Sequence, residues 1–181
     1  MKLWTRSLLT AVAGAALIAA SACSPSEGAG DGSSETSGNS PSSEALVSVK
    51  PCEMLSLDTL RSFGLEVPGK TKSELPWKPG CYYEGDPFTV RMEKNTRQTV
   101  DSSAQKSVWA EFERLEVNGR SGARVITKGA TQTRACGVMF DVGEGIVQVR
   151  AREIRLPDDE DECAEALKIA KKIEPNVPEP A

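Results

Sequence analysis

The sequence predicts an α+β fold, in which an antiparallel sheet of about four to six strands is flanked by N- and C-terminal helices and carries two disulfides. Three observations support this fold class. Several short segments alternate apolar and polar residues between turn signals, which is typical of half-buried strands. Two segments, one near each end of the folded part, have apolar residues at helical spacing. Four cysteines lie in the same part of the chain.

The first helical region covers residues 52–63. Ser56 is a suitable N-cap, and Gly64 directly follows the last apolar residue, as is common where helices end. The apolar positions of this region are Leu55, Leu57, Leu60 and Phe63. We therefore expect a short helix that buries one side.

Strands are expected in the middle of the chain. Phe88, Val90 and Met92 alternate with Thr89 and Arg91, which predicts a strand with one buried face.

Two hairpins should follow this strand. Leu115 and Val117 precede Asn118-Gly119, a strong two-residue turn signal, and residues 123–127 would form the returning strand. The second hairpin turns at Gly143-Glu144-Gly145. The residues predicted to face inward from its two strands are Cys136, Val138, Phe140, Val142, Val147, Val149 and Ala151.

A C-terminal helix is predicted over residues 158–172. One stripe of this helix contains Cys163, Ala166, Leu167, Ala170 and Ile173. The acidic residues 158–162 lie in its first turn, and three lysines lie near its last turn, so both groups complement the helix dipole. A calcium site is the weaker interpretation of the acids, because they lack the Asp-x-Asp-x-Asp-Gly spacing of a calcium loop.

The folded part contains Cys52, Cys81, Cys136 and Cys163, which in an exported protein predict a disulfide framework. Spacing alone leaves three pairings open. Cys136 and Cys163 are both expected to face the core, so we expect them to bond, which leaves Cys52 to pair with Cys81. Each bridge would enclose about 30 residues and contribute roughly 3 kcal/mol. Zinc is disfavoured, because the chain has no Cys-x-x-Cys pair and no histidine.

Residues 1–22 are typical of a signal peptide. Two basic residues precede a run of about 14 to 16 mostly apolar residues, whereas a transmembrane helix needs roughly 20. Three small residues then precede Cys23, an arrangement that resembles the lipobox of bacterial lipoproteins. The resemblance implies that the Cys23 thiol is diacylglycerated and that Cys23 becomes the new N-terminus. Secretion without lipid and an uncleaved anchor are the alternatives.

The domain organisation follows from these signals. After the signal peptide, residues 23–46 are rich in Ser, Gly, Glu and Pro, which predicts a flexible tether. Residues 47–175 should form the disulfide-bonded domain, and residues 176–181 a disordered tail. We expect the protein to lie on the extracytoplasmic face of the cell membrane, held by the lipid on Cys23.

Composition disfavours several classes of function. The absence of histidine removes the commonest general base and metal ligand. From Cys23 onward the chain carries 20 basic and 26 acidic groups, so a nucleic-acid partner is not expected. No Gly-x-Ser-x-Gly motif is present. We expect no cofactor, no metal and no catalytic residues.

Three groups of residues are candidates for binding or chemistry. Arginines that could line an anionic-ligand cleft are Arg120, Arg124, Arg134, Arg150, Arg152 and Arg155; solvated strand edges would explain them equally well. Aromatic residues that could contact a ligand, but are more often core or rim, are Trp77, Tyr82, Tyr83 and Trp109. Carboxylates that could pair for glycoside hydrolysis are Glu84, Asp86, Glu111 and Asp141.

A series of short motifs runs through the folded part. In chain order they are Pro51-Cys52-Glu53-Met54-Leu55, Phe63-Gly64-Leu65, Gly80-Cys81-Tyr82-Tyr83, Val117-Asn118-Gly119-Arg120-Ser121-Gly122-Ala123, Cys136-Gly137-Val138 and Glu162-Cys163. With the lipobox and tether, this order resembles the actinobacterial lipoprotein family that carries domain of unknown function 3558. Ser121-Gly122 replaces the proline-containing turn more usual there. The resemblance implies an α+β domain on the cell surface and no established reaction.

The expected function is therefore a non-catalytic interaction or sensing module that docks on an envelope protein. The alternative is a carrier or receptor for a small apolar or anionic ligand. A hydrolase ranks third, because it would need converging carboxylates in a cleft with shifted pKa values.

Overall fold

The computed structural model describes residues 41–154 and 161–181. The predicted signal peptide, Cys23 and the tether up to residue 40 lie outside these ranges. The described strands are β1 (Lys70–Leu75), β2 (Lys78–Tyr83), β3 (Phe88–Asn95), β4 (Trp109–Val117), β5 (Arg120–Thr127), β6 (Ala135–Val142) and β7 (Gly145–Glu153). The described α-helices are α1 (Pro41–Ser48), α2 (Leu57–Ser62), α3 (Val100–Ala104) and α4 (Glu162–Ile173).

All seven strands pair antiparallel in one sheet, in the order β1-β2-β3-β7-β6-β5-β4. The predicted α+β class is confirmed, and the sheet exceeds the expected size of about four to six strands. Sequence patterning did not reveal β1, because all six of its residues are exposed at the sheet edge. A strand with no buried face has no apolar alternation to detect.

Helix α4 covers one face of the sheet, which we call the front face. Its buried residues are Ala166, Ile169, Ala170 and Ile173, which belong to the main hydrophobic core together with sheet residues such as Met92, Val138 and Val149. The Asp161 side chain caps the helix by accepting from the Ala164 N–H at 2.9 Å. The helix is thus present where its apolar stripe predicts it, and residues 158–160 of the predicted start lie outside the described ranges.

The disulfide bonds are those expected. One joins Cys136 on β6 to Cys163 on α4, and the other joins Cys52 to Cys81 on β2. Their Cα–Cα distances are 5.0 and 5.1 Å, within the usual range for a bridge. The first bridge fastens α4 to the sheet, and the second fastens the N-terminal segment to it.

The predicted helix over residues 52–63 is divided. A 3-10 turn at Pro51–Glu53 is followed, after a break, by α2. Ser56 is the N-cap of α2, and its Oγ accepts from the Thr59 N–H at 3.2 Å. Because a capping side chain replaces a missing helical hydrogen bond, the helix begins at the cap rather than at residue 52.

The Asn118-Gly119 hairpin is confirmed between β4 and β5. Asn118 has φ 51° and Gly119 has φ 93°, the two positive values that a type I′ turn requires. Val117 pairs with Arg120 across the turn. Gly143-Glu144 similarly connects β6 to β7, with Val142 paired to Gly145.

Ordered structure begins upstream of Val47, the residue at which the sequence places the start of the domain. Helix α1 inserts Leu46 into the main core, where it is 1% exposed. The Lys94 ammonium donates to the carbonyl oxygen of Leu46 at 2.9 Å and also to that of Val47. Leu46 and the two carbonyls at the end of α1 therefore attach this helix to the domain, so residues 41–46, predicted to be part of a flexible tether, include a helix that packs on the core.

The C-terminal residues 176–181, predicted to be disordered, lie against the domain instead. The Arg120 guanidinium donates to the carbonyl oxygens of Val177, at 3.2 Å, and Pro178. Gly143 N–H donates to Glu179 O at 2.9 Å. The Arg120 side chain is 5% exposed, and a buried guanidinium needs acceptors, which the tail carbonyls supply.

Candidate functional site

The opposite face of the sheet, which we call the back face, is covered in part. Its small hydrophobic cluster lies towards β4 and contains Val100, Ala123, Val125, Met139 and Ile146, with Trp109 and Phe112 packed against it. Helix α3 belongs to this cluster through Val100, whose N–H donates to Asp141 Oδ1 at 2.8 Å. The rest of the back face, towards β1, carries polar side chains.

An open groove of about 560 Å³ lies on this polar part of the back face. Its cationic lining residues are Lys72, Arg91, Lys128, Arg150 and Arg152. Its other lining residues are Tyr82, Thr89, Thr127, Gly129, Ala130, Thr133 and Ala135. We call this feature the cationic groove, because no carboxylate in residues 41–154 or 161–181 lines it, although acidic residues exceed basic ones in the chain.

Strand alternation explains how the central arginines come together. Arg91 on β3 is the register partner of Arg150 on β7, and Thr89 is the partner of Arg152. Residues two apart on a strand share a face, so all four side chains belong to the back face. The alternate residues of β3 and β7, including Val90 and Met92, belong to the main core on the front face.

Arg91 is held by carboxylates outside the groove lining. Its Nε lies 2.7 Å from Glu93 Oε2, and its NH1 lies 3.8 Å from Glu74 Oε1. The Glu93 side chain is 3% exposed and also pairs with Lys78 Nζ at 2.7 Å. A buried carboxylate needs such partners, so part of the charge of Arg91 is used within the fold.

Arg150, Arg152 and Lys128 have no ion pair with any residue in the described ranges. Arg150 is half-buried, whereas Arg152 and Lys128 are exposed. The Lys72 ammonium lies 5.8 Å from the centre of the Tyr82 ring, within cation–π range. The groove therefore holds several positive charges that no described carboxylate neutralises.

Gly137 keeps the middle of the back face flat. It is the register partner of Arg150, and a Cβ added there would lie 2.8 Å from Gln148 Nε2. Gln148 is 4% exposed, and its Nε2 has no hydrogen-bond partner among the described residues. The side-chain amide of Gln148 thus has an unused N–H donor next to Gly137, the residue opposite Arg150.

The far wall of the groove is the connection between β5 and β6. Gly129, at φ 86°, and Arg134, at φ 47°, flank a 3-10 turn at Ala130–Thr133. Arg134 NH1 lies 3.2 Å from Glu153 Oε2, a carboxylate at the end of β7. This ion pair connects the loop to the sheet beside the groove.

The six candidate arginines separate into different environments. Arg150 and Arg152 line the groove, whereas Arg120 binds Glu174 and the C-terminal tail. Arg124 lies 2.6 Å from Glu113, and its pKa is raised chiefly by that hydrogen bond. Arg134 pairs with Glu153, and Arg155 lies outside the described ranges.

Among the candidate aromatics, Tyr82 alone lines the groove. Tyr83 is buried in the main core and donates to Cys52 O at 3.2 Å, and burial raises its pKa. Trp77 stacks with Arg97 at 3.9 Å. Trp109 donates to Ser103 O at 2.7 Å from the small cluster on the back face.

The candidate carboxylates occupy separate strands and have other roles. Glu84 pairs with Lys70 at 2.8 Å, and Glu111 pairs with Arg124 at 3.4 Å. Asp141 Oδ1 accepts from the Val100 N–H at the start of α3, and burial raises the pKa of Asp141. None of these residues, nor Asp86, lines the cationic groove.

Lys72, Arg91 and Lys128 were not among the sequence candidates. Arg91 could have been proposed from the sequence, because it occupies one of the polar, alternating positions of a predicted strand. Lys72 lies on the unpredicted strand β1, and Lys128 follows β5. These three residues come together because of the order of the strands in the sheet, and the periodicity of a sequence does not reveal that order.

Within the described ranges, no group of His, Cys, Asp and Glu side chains could hold a metal ion. The helices there are also too short or too polar for one of them to span a bilayer.

Comparison with known proteins identifies one relationship. Searches of curated proteins and of solved structures return no match. The family model described as "Protein of unknown function (DUF3558)" matches residues 18–176, a range that covers every described strand. By this match the chain belongs to the DUF3558 family of proteins of unknown function.

Proposed function

We propose that this chain is an actinobacterial lipoprotein of the cell envelope, anchored through a diacylated Cys23, whose domain is a non-catalytic receptor for an anionic ligand. The signal-peptide pattern of residues 1–22 and the small residues before Cys23 support the anchor. Acyl chains would hold the protein on the extracytoplasmic face, because each buried methylene contributes about 0.8 kcal/mol. The polar segment after Cys23 would let the domain sample the space above the membrane.

The observation that carries the receptor proposal is the cationic groove. Five cationic side chains line it, and none of its described lining residues is a carboxylate. Arg150 and Arg91 are cross-strand neighbours, and like charges in such positions repel each other. A bound anion would relieve this repulsion, so the groove favours an anionic ligand over an apolar one.

The lining also supports a binding role over a catalytic one. General acid–base catalysis at neutral pH commonly uses histidine or carboxylates; the chain has no histidine, and the lining residues that the structure describes include no carboxylate. Its arginines are permanently charged and donate hydrogen bonds without exchanging protons. Such a site is suited to holding a ligand that is released unchanged.

Binding can be tested by calorimetric titration of the purified full chain with citrate and with inorganic phosphate at constant ionic strength. We expect saturable binding to one or both anions. The double substitution Arg150→Gln and Arg152→Gln should weaken it by about tenfold or more, since hydrogen bonds to charged groups contribute about 1.5–3 kcal/mol. The control is Arg61→Gln with Arg114→Gln, which removes the same charge from exposed sites outside the groove lining. Binding that both double variants weaken equally would contradict a site in the groove.

The anchor is tested separately, by mass spectrometry of the N-terminal peptide and by fractionation of cells. The native chain should carry a diacylglyceryl group on Cys23 and fractionate with membranes. Cys23→Ala should lose both properties. An unmodified Cys23 in a released, soluble protein would contradict the lipoprotein assignment without affecting the receptor proposal.

A second candidate is docking on an envelope protein through the sheet edge. Strand β1 is the last strand of the sheet and pairs with β2 on one side, and no other strand of the described residues pairs with its second edge, which a partner strand could therefore occupy. Cross-linking on intact cells, with the native chain compared with Cys23→Ala, tests this. A single partner captured through residues of β1 would support it, whereas cross-links that avoid β1 would contradict it.

A further inference from the structure

We infer that the ligand of the cationic groove is an organic phosphate, meaning a molecule with at least one phosphoryl group attached to an uncharged moiety. The inference rests on the proposed function and specifies its ligand. It is argued from the charge, the donor geometry and the size of the groove.

The charge favours a ligand with two or more negative charges. Arg150, Arg152 and Lys128 have no ion pair among the described residues, and Arg91 adds part of its charge. A monocarboxylate would neutralise one of these cations. A phosphate monoester carries about −1.5 to −2 at neutral pH and offers three strong acceptor oxygens.

The donors are of the type that binds phosphate. Arg91 and Arg150 are direct cross-strand partners, and Arg152 lies two residues along the same face of β7. Neighbouring strands lie about 5 Å apart, so the three side chains begin close together. Guanidinium groups present paired N–H donors that match phosphate oxygens. The hydroxyl group of Thr127 lines the same groove and adds a donor.

The groove is large enough for a ligand that is bigger than a phosphoryl group alone. Its volume of about 560 Å³ lies in the range of small-molecule sites and far exceeds the volume of a phosphate ion. Part of the lining is uncharged, and it includes the half-buried Tyr82 ring and Ala130. An aromatic ring beside cations suits a sugar or another uncharged group. The groove therefore fits a phosphoryl group and the moiety that carries it.

Two sources can supply this chemistry, a soluble phosphorylated metabolite and a phospholipid headgroup. The test titrates the purified full chain, at one ionic strength, with fructose 1,6-bisphosphate, glycerol 3-phosphate and citrate. Constant ionic strength is needed because salt screens exposed charges. In a parallel arm, binding is measured to phosphatidylcholine vesicles with and without phosphatidic acid, a phospholipid whose headgroup is a phosphate monoester.

We expect at least one phosphate probe to bind about tenfold or more tightly than citrate, because the three acceptor oxygens of one phosphoryl group can accept from the clustered guanidinium groups of Arg91, Arg150 and Arg152 together, whereas a single carboxylate offers two. Arg150→Gln with Arg152→Gln should reduce that affinity by about tenfold or more. The control double variant, Arg61→Gln with Arg114→Gln, should leave it within about twofold, because exposed pairs contribute little. Vesicle binding that depends on phosphatidic acid and on Arg150 and Arg152 would identify a headgroup as the source. Binding of the soluble probes alone would identify a metabolite.

The failures are distinguishable. If citrate binds in the groove and no phosphate probe binds more tightly, the organic-phosphate inference is wrong and the receptor proposal stands. If no anion binds in a manner sensitive to Arg150 and Arg152, both are wrong.

Discussion

Arg150 lies directly opposite Arg91 in the register of β7 and β3, and the two arginines differ in their partners. Arg91 pairs with the buried Glu93, whereas Arg150 has no ion pair among the described residues. A half-buried guanidinium in that position costs free energy in the unliganded protein. This relationship separates a structural arginine from one that is available to a ligand.

The first prediction concerns this pair. Arg150→Gln should leave the free energy of unfolding unchanged or raise it by up to about 1 kcal/mol, because it removes a like-charge neighbour. Arg91→Gln should lower the free energy of unfolding by about 1–3 kcal/mol, because the buried carboxylate of Glu93 loses one of its two cationic partners. Urea denaturation of the unliganded protein measures both values. Equal losses in the two variants would mean that Arg150 has a structural partner after all.

The second prediction concerns pH. Burial raises the pKa of Asp141, although the Val100 N–H opposes this shift. A carboxyl group with a raised pKa in the folded state contributes stability below its ordinary pKa, and this contribution is lost as pH rises through the raised value. The Asp141→Asn variant has no ionisable side chain at this position, and its amide oxygen can still accept from the Val100 N–H. The variant should therefore gain stability relative to the native chain as pH rises from below 3.8, the ordinary pKa of an aspartic acid, towards neutrality.

Denaturation midpoints at several pH values in that interval provide the measurement. Asp58→Asn is the control, because the Asp58 side chain is 94% exposed and makes one ion pair at the surface. A stability difference for Asp141→Asn that stays constant with pH would show that Asp141 has its ordinary pKa.

The third prediction concerns the attachment of α1. Leu46 is 1% exposed and Val47 is 63% exposed, so the two residues form a matched pair. Leu46→Ala should lower the free energy of unfolding by about 2–4 kcal/mol through lost burial and a cavity. Val47→Ala should change it by less than about 0.5 kcal/mol, as is usual for surface positions. Similar effects of the two substitutions would mean that α1 is detached in solution.

The fourth prediction concerns the C-terminal tail. Arg120→Met removes the guanidinium that binds Glu174 and the carbonyls of Val177 and Pro178. We expect a loss of about 2–4 kcal/mol, because Glu174 loses its buried partner. Hydrogen exchange at the amides of Gly143 and Ala181, which are bonded in the native chain, should also become faster.

Arg114→Met is the control, since Arg114 makes an exposed ion pair with Asp101 and should cost less than about 1 kcal/mol. Unchanged exchange at Gly143 in Arg120→Met would mean that the tail is held without Arg120.

Local signals in the sequence explain which elements were predicted. The Asn118-Gly119 turn, the Ser56 cap and the apolar stripe of α4 depend on neighbouring residues, so the chain specifies them without knowledge of the fold. The short helix α3 was not predicted, although Thr99 and Ser102 form a capping box at its start, which is a local signal of the same kind.

The ordered ends could not be predicted in the same way. The α1 segment and the tail have polar or proline-rich sequences that are typical of disorder. Leu46 becomes ordered because the core contains a site for it, and the tail becomes ordered because Arg120 needs acceptors. Both causes are contacts with residues that are distant in sequence.

The sequence by itself determined the α+β class, the two hairpins, the C-terminal helix and the cysteine pairing, because each follows from residue periodicity or turn chemistry. Only the tertiary structure decided the candidate site. Strand order brings Arg91 on β3 beside Arg150 on β7, and the loop after β5 contributes Lys128 to the same groove. Periodicity assigns each residue to a face of its own strand but does not say which strands are neighbours. A groove built across several strands therefore exists only once the sheet is assembled.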